Sequence, residues 1–149
     1  MKIAVAADHG GYPLKTATLD LLRSLGHDAV DLGSHKLVPD DDYPDYARYV
    51  GQAIQHGQAE RGILICGSGI GACIAANKLA GIRAGICHDT YTARQSVEHD
   101  AVNVMCIGAR VVGPALAEEL IRAFVAARYS GLERHQRRID KIGAIEAAP

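Results

Sequence analysis

A cysteine followed directly by a glycine-rich stretch is the part of this sequence best suited to chemistry. Residues 63–71 read Ile-Leu-Ile-Cys-Gly-Ser-Gly-Ile-Gly. The apolar run predicts a strand, and a helix should begin near Ala72. Backbone N–H groups at such a helix start can converge on a phosphate or an oxyanion, and the helix field favours the thiolate form of Cys66. Cys66 could therefore act as a base or nucleophile, although a buried thiol without a catalytic role explains the cysteine alone equally well.

The same glycines also fit the loose dinucleotide-binding pattern G-x-G-x-x-A. Gly67, Gly69 and Ala72 match it, and Asp89 follows at about the distance expected of the acidic residue. The pattern nevertheless falls after the third predicted strand, Gly71 is an additional glycine, and the chain leaves no room for a separate substrate domain. We therefore favour a small anionic ligand over a dinucleotide.

Ionisable residues follow other predicted strands. Asp8 and His9 come after the first strand, where a carboxylate beside an imidazole could hold hydroxyl groups and assist proton transfer. A simple turn is the alternative. Arg110 follows the last strand, and Arg134 and Arg138 lie one helical turn apart. Guanidinium groups suit phosphate oxygens, although most exposed arginines are simply solvated.

His99 and Asn103 lie near the amino end of the fifth predicted strand. Within one subunit this position is remote from the edge at which ligands bind. A two-fold dimer could bring His99 against the Cys66 loop of the neighbouring chain, because an isologous interface pairs unlike elements reciprocally. The alternative is that His99 is a surface residue.

The elements that must position these residues are short apolar runs alternating with segments of helical periodicity. We predict five strands, at residues 3–7, 29–32, 63–66, 84–87 and 104–107. Leu14, Ala17 and Leu21 illustrate the helical spacing between the first two. This alternation predicts an α/β fold with a doubly wound, Rossmann-like parallel sheet. The carboxyl ends of its strands share one edge, where ligands bind at a switch point in strand order.

The composition restricts the class of protein. With 149 residues, 48% of them hydrophobic, the chain suits one domain over residues 1–149. Lys and Arg number 16 against 17 Asp and Glu, so we expect neither nucleic acid nor a membrane surface as a partner. The four cysteines include no C-x-x-C pair, and no stretch reaches membrane-spanning length. Both observations favour a cytoplasmic protein with reduced thiols and no zinc.

Two segments lie outside the regular alternation. Residues 33–44 form a long connection that could cover the ligand edge or be a plain surface loop. Residues 130–149 are too few for a domain. We expect them to form a helical arm that packs on a neighbouring subunit.

Taken together, the motifs resemble type B ribose-5-phosphate isomerases and their relatives, the galactose-6-phosphate and allose-6-phosphate isomerases. The matching stretches are Ala7-Asp8-His9-Gly10-Gly11, Asp42-Tyr43-Pro44, Ile65-Cys66-Gly67-Ser68-Gly69-Ile70-Gly71, Ala75-Ala76-Asn77-Lys78, Gly81-Ile82-Arg83-Ala84, Asn103-Val104, Gly108-Ala109-Arg110-Val111-Val112-Gly113 and Arg134-His135-Gln136. Their order and spacing make the resemblance specific. It implies an aldose–ketose isomerase of five-carbon sugar phosphates that works as a homodimer with shared active sites, or as a tetramer.

The resemblance implies a role for each part of the Cys66 loop. Cys66 would be the base that moves a proton between C1 and C2 through an enediolate, as in the cysteine subtype of the family. The other subtype has glycine there and a glutamate at the position of Ala72, which cannot accept a proton. Ser68 would be a hydroxyl partner of the thiol. The oxyanion would be held by the backbone of Gly67, Gly69, Ile70 and Gly71.

The resemblance also assigns residues to the sugar and the phosphate, with no metal or other cofactor. Asp8 and His99 would open the furanose ring. The phosphate would be bound by His9, Arg110, Arg134 and Arg138. The sugar would contact Tyr43, Asp100 and Asn103.

Asp100 departs from the family pattern, which usually has asparagine there. A carboxylate at this position could repel the oxyanion or change the protonation of His99. The preferred substrate could therefore be another aldose phosphate, with four or six carbons. Two further interpretations stay open: a non-catalytic module that binds a nucleotide or sugar phosphate, and a covalent nucleophile at Cys66 in acyl or thiol transfer.

Overall fold

The computed structural model of the protein describes residues 1–148, and within them five strands alternate with helices, of which there are six. The elements are β1 Lys2–Ala7, α1 Tyr12–Ser24, β2 Asp28–Asp31, α2 Tyr43–Gln55, β3 Arg61–Cys66, α3 Ile70–Ala76, β4 Ala84–Ile86, α4 Thr90–Asp100, β5 Val104–Gly108, α5 Pro114–Ala126 and α6 Glu133–Glu146. Both the predicted α/β class and the number of strands are confirmed.

The five strands form one parallel sheet in the order β2-β1-β3-β5-β4. The chain builds outward from β1 to β2 and then returns to place β3 on the other side of β1. The switch point in strand order therefore lies between β1 and β3. The loops that follow these two strands face each other across it, and they are the loops that carry Asp8 and Cys66.

The sheet is covered on both faces because its strands are apolar on both sides. Alternate side chains of β3 point in opposite directions, so Ile63 and Ile65 pack in the core beneath α1, α4 and α5. Leu64 and Cys66 pack in the second core, beneath α2 and α3. The Cys66 side chain is consequently directed toward the face that carries α3.

Several predicted boundaries were wrong by one or two residues. α3 begins at Ile70 rather than near Ala72, because Gly69 caps it in the left-handed conformation with φ of 82°. β2 ends before Leu32, β4 ends at Ile86, and β5 continues to Gly108. α2 begins at Tyr43, so the long connection after β2 ends at residue 42.

The predicted C-terminal arm is largely the helix α6. Its first turn packs on α4 of the same chain, where His135 is buried. Its last turn is tied to the α3–β4 connection, because both carboxylate oxygens of Glu146 accept a hydrogen bond from the Gly81 N–H. Ile142 and Ile145 between these contacts remain exposed. Across residues 1–148, each helix is too short or too polar to cross a membrane.

Candidate active site

The turn after β1 lies directly against the loop after β3. A Cβ atom on Gly10 would come within 2.8 Å of the Gly67 nitrogen, and one on Gly11 would overlap the Ile65 carbonyl. Glycine at both positions is therefore what allows the two loops to touch. This contact places Asp8 and Cys66 in the same cleft.

The Cys66 side chain is buried at the base of this cleft, with 4% of its surface exposed. The Gly69 N–H donates a hydrogen bond to its Sγ at 3.1 Å. A donor directed at sulfur stabilises negative charge there, which is what a base or nucleophile requires. The Ile70 N–H donates instead to the Ser68 hydroxyl at 3.3 Å. The N–H groups of Gly69 and Ile70, which were predicted to face an anion, thus donate to side chains of the loop itself.

The cleft has a volume of about 390 Å³, within the usual range for small-molecule sites. We call it the edge cleft. Its lining residues are Asp8, His9, Gly10, Tyr43, Cys66, Gly67, Ser68, Gly71, Arg110 and Val111. Most of the predicted site residues on the carboxyl edge of the sheet therefore line one cavity.

Two glycines of the loop let larger side chains close over it. A Cβ atom on Gly71 would lie 2.7 Å from Cε2 of the Tyr43 ring, so the ring packs directly on the bare backbone. The Arg110 guanidinium lies over Gly67, with Nη1 3.5 Å from the position that a Cβ would take. The cleft is thus bounded by an aromatic ring on one side and a cation on the other.

Asp8 is a buried carboxylate, 6% exposed, that accepts a hydrogen bond from the Gly11 N–H at 3.0 Å. Burial raises the pKa of Asp8 above its ordinary value, and the nearby Asp41 carboxylate adds to this, while the Gly11 hydrogen bond and His9 oppose it. A raised pKa makes a carboxyl group a better proton acceptor than an ordinary carboxylate. Asp8 therefore suits proton transfer to and from a hydroxyl group in the cleft.

His9 is held by Asp41, a residue that the sequence alone does not single out. Asp41 Oδ1 accepts a hydrogen bond from the His9 backbone N–H at 2.7 Å and contacts His9 Nδ1 at 2.8 Å. This hydrogen bond raises the pKa of His9, and the charge of Asp8 acts in the same direction. Asp41 belongs to a run of three aspartates that marks the loop, but the run alone does not indicate which one turns inward.

Ligand atoms of Asp8, His9 and Asp41 lie within 4.8 Å of one another, as a metal site would require. Their existing hydrogen bonds account for this proximity, because His9 Nδ1 faces Asp41 and Asp8 Oδ1 accepts from the Gly11 backbone. The set could offer a metal ion only three ligands, two of which would first have to break their contact with each other.

Gly69 and Ile70 belong to the Cys66 loop without lining the cleft, whereas four other predicted residues lie where α4 meets the start of α6. We call His99, Asp100, Arg134, His135 and Arg138 the α4–α6 cluster. α4 begins at the carboxyl edge of the sheet and runs back toward the amino edge, so His99 lies about 13 Å along the helix axis from Thr90. The α4–α6 cluster therefore does not line the edge cleft of its own chain.

His135 organises this cluster and was also missed as a functional residue. Its ring stacks on His99 with centroids 4.1 Å apart. Arg134 Nε donates to His135 Nε2 at 3.1 Å, so the His135 proton must be on Nδ1, which faces the Ser130 hydroxyl at 2.8 Å. Burial lowers the pKa of His135, and the charges of His99, Arg134 and Arg138 lower it further. The buried ring is thus neutral and rigid.

Asn103 is engaged at the amino edge of the sheet. Its Oδ1 accepts from the Arg83 N–H at 2.8 Å, and its Nδ2 donates to the Gly81 carbonyl at 2.9 Å. The side chain thereby joins the start of β5 to the connection before β4. Within its own chain Asn103 has a structural role and lies away from the edge cleft.

A thiol, a carboxyl group, an imidazole and a guanidinium around one cleft, at the switch point of a doubly wound sheet, define an α/β enzyme for a small anionic ligand. The sequence matches the Ribose/Galactose Isomerase family over residues 3–142, and the chain belongs to this family. The predicted family and the predicted isomerase class are both confirmed.

Individual relatives cover nearly the whole chain. The ribose-5-phosphate isomerase B of Escherichia coli is 44% identical over 145 residues, which are 97% of this chain and 96% of that protein. A D-erythrulose-4-phosphate isomerase of Pectobacterium atrosepticum is 40% identical, over 98% of this chain and 95% of that protein.

A solved structure of a ribose-5-phosphate isomerase B also matches this fold closely. The ribose-5-phosphate isomerase B of Mycoplasma genitalium, with bound ribulose-5-phosphate, superimposes with a TM-score of 0.93 at 38% identity. The match covers 99% of this chain and 97% of that one.

Proposed function

We propose that this protein interconverts ribose 5-phosphate and ribulose 5-phosphate, with Cys66 as the base. The observation that carries the proposal is the buried Cys66 sulfur at the base of the edge cleft, with the Gly69 N–H donating to it. The E. coli relative and the ribulose-5-phosphate complex of the M. genitalium protein support the choice of substrate. Neither a metal nor another cofactor is needed for the steps below.

The reaction begins with ring opening, because the furanose form has no free carbonyl group. Asp8 and His99 move the proton between the ring oxygen and the C1 hydroxyl. The Cys66 thiolate then removes the proton from C2 of the open aldose, which gives an enediolate. The hydroxyl proton on O2 passes to O1 of the enediolate, Cys66 returns the carbon-bound proton to C1, and the carbonyl group is left at C2. The backbone of residues 67–71 lies beside the oxygen on which negative charge develops.

The phosphate orients the substrate so that C2 lies at the sulfur. His9 and Arg110 line the edge cleft and offer donors to phosphate oxygens. Tyr43 covers the sugar from the α2 side. In this proposal Arg134 and Arg138 complete the phosphate site from outside the subunit.

We further propose a homodimer in which the α4–α6 cluster of one chain completes the edge cleft of the other. The position of His99 supports this, because α4 carries it away from the cleft of its own subunit. An apolar surface supports it too, since Ile142 and Ile145 are 47% and 76% exposed beside a groove of about 680 Å³. A second copy covering this groove would bury both side chains. In this proposal Asp100 and Asn103 approach the sugar only from the partner, or serve the interface.

Replacement of the base tests the proposal. Cys66→Ala should lower kcat for ketose formation from ribose 5-phosphate by about a thousandfold, within the range for general bases, and should leave ribose 5-phosphate binding intact. Cys73→Ala is the matched control, because it removes another thiol near the same face of the sheet. Normal turnover by Cys66→Ala would refute the assignment.

A different aldose phosphate is the second candidate, favoured by Asp100 in the α4–α6 cluster and by the erythrulose-phosphate relative. The discriminating measurement is kcat/KM for aldose phosphates of four, five and six carbons, in the wild type and in Asp100→Asn. A preference for five carbons in both proteins supports the first proposal. A change of preference on substitution assigns the choice of sugar to Asp100.

A further inference from the structure

The Asp41 carboxylate is the most heavily engaged ionised group beside the edge cleft, with 10% of its side chain exposed. Oδ1 accepts from the His9 backbone N–H at 2.7 Å and contacts His9 Nδ1 at 2.8 Å. Oδ2 accepts from the Tyr46 hydroxyl at 2.7 Å. Asp41 therefore connects the turn after β1 to helix α2 through the loop that precedes α2.

These contacts fix the His9 ring. With Nδ1 facing Asp41, the nitrogen that remains available to a ligand is Nε2. The His9 backbone N–H on the same oxygen prevents the ring and the main chain from moving independently. Tyr46 in turn fixes the carboxylate, and burial together with Asp41 raises the pKa of Tyr46 to about 12. The phenol therefore stays a hydrogen-bond donor throughout the neutral range.

We propose that Asp41 is a positioning residue that holds His9 with Nε2 toward the edge cleft and in the protonated form that binds the phosphate of the substrate. This inference rests on the proposed function, in which His9 is one of the phosphate ligands. An imidazole whose Nδ1–H faces a carboxylate keeps a proton on Nε2 only as imidazolium. As imidazolium, it offers a phosphate dianion both a hydrogen bond and a positive charge.

The charges around His9 agree with this role. The hydrogen bond with Asp41 is the largest cause of the raised pKa of His9, ahead of burial, which opposes it, and of the Asp8 charge, which adds to it. Burial disfavours the ionised form of Asp41, but hydrogen bonds from His9 and Tyr46 outweigh burial and leave the pKa of Asp41 below its ordinary value. The other titratable or charged groups that line the cleft with His9 are Asp8, Tyr43, Cys66 and Arg110.

Asp41 favours the imidazolium, so its removal should shift the protonation of His9 to lower pH. Phosphate-dependent binding should then be lost at a lower pH than in the wild type, while the proton transfer at Cys66 is unaffected once substrate is bound. The substitution should therefore raise KM and leave kcat nearly unchanged.

The test compares Asp41→Asn with Asp40→Asn. Asp40 is an exposed neighbour with φ of 63°, which asparagine tolerates, so its variant removes one carboxylate from the same loop without touching His9. NMR titration of His9 in the ligand-free proteins should give a lower midpoint for Asp41→Asn alone. KM for ribose 5-phosphate should rise about tenfold near neutral pH in that variant, and the affinity for inorganic phosphate should fall in parallel.

Asp41→Glu keeps the charge and should restore part of the wild-type pH profile. It also distinguishes loss of charge from loss of fold, since circular dichroism would detect a variant that does not fold. An unchanged His9 titration and an unchanged KM profile in a folded Asp41→Asn would overturn the inference. If the wild type did not isomerise sugar phosphates, the proposed function would fail instead, and the His9 titration with inorganic phosphate would still decide the role of Asp41.

Discussion

The edge cleft and the α4–α6 cluster position their functional groups in different ways. In the edge cleft, Cys66 ends a strand and Asp8 and Arg110 follow the ends of two others, so the parallel sheet brings all three together. In the α4–α6 cluster, side chains hold one another: His135 stacks on His99 and accepts a hydrogen bond from Arg134. One region is positioned by topology, the other by contacts between two helices.

The two regions also differ in the groups they lack. The edge cleft has a thiol, a carboxyl group and one arginine, but a phosphate dianion is commonly bound by several donors. The α4–α6 cluster has two further arginines and two imidazoles, but it lies outside the edge cleft of its own chain. Each set contains what the other lacks, which is the physical basis of the proposed shared site.

The largest effect should come from mixing two inactive chains. Cys66→Ala and His99→Asn homodimers should each lose nearly all activity, because every site lacks one group. In a mixed dimer one site receives both substitutions and the other receives none, so about half of the wild-type activity should return. Co-expression with two different tags, followed by two affinity steps, gives the mixed dimer for the assay.

The matched control is a dimer in which both chains carry Cys66→Ala and differ only in their affinity tags. It should stay inactive, because no site regains its base. Absence of recovery in the Cys66→Ala and His99→Asn dimer would show that His99 does not complete the edge cleft of the neighbouring subunit.

The strands and helices that could be predicted from apolar runs and helical periodicity are present in the structure. The Cys66 loop could be predicted because its strand, its glycines and its helix are contiguous in the sequence. Even there the start of α3 was wrong by two residues, since the left-handed conformation of Gly69 allows the helix to begin at once.

Contacts between distant segments could not be predicted in this way. Asp41 meets His9 across 32 positions, through a loop whose three adjacent aspartates are alike in the sequence. His135 lies among arginines, a pattern typical of exposed surface, yet it is almost fully buried against His99. The packing of segments far apart in the chain decides which polar residue turns inward. Local hydrophobic periodicity therefore cannot predict it.

Acid should weaken the α4–α6 cluster selectively. The folded-state pKa of His135 lies below its unfolded value of 6.5, so the unfolded chain binds more protons and stability is lost as pH falls below about 6.5. Protonation would also remove the acceptor at Nε2 on which Arg134 depends. Denaturant unfolding between pH 7.5 and 5 should therefore give a smaller pH dependence in His135→Gln than in the wild type.

The difference in pH dependence between the wild type and His135→Gln reports His135 alone, because the other histidines are the same in both proteins. The raised pKa of His9 contributes with the opposite sign, since its stabilisation is present below the unfolded value and lost as pH rises. His9 lies in the edge cleft and is unaltered in both proteins. Equal pH dependence in the wild type and His135→Gln would show that the buried ring does not titrate with folding.

The smallest effect concerns the boundary of the edge cleft. A methyl group at Gly71 would overlap the Tyr43 ring, which is 40% exposed and can swing outward. Gly71→Ala should therefore raise KM for the sugar phosphate by about three- to tenfold, with little change in kcat. The melting temperature should not fall, because alanine favours the helix more than glycine does.

Gly113→Ala is the matched control, since a Cβ there meets no atom within 4 Å and the residue lies outside the edge cleft. Its KM should equal that of the wild type. An unchanged KM in Gly71→Ala would mean that Tyr43 can move without loss of substrate contact, so the ring would be a cover over the cleft and not part of the sugar site. A raised KM without a change in stability would instead place the ring against the bound sugar, because a displaced side chain affects binding only where the substrate touches it.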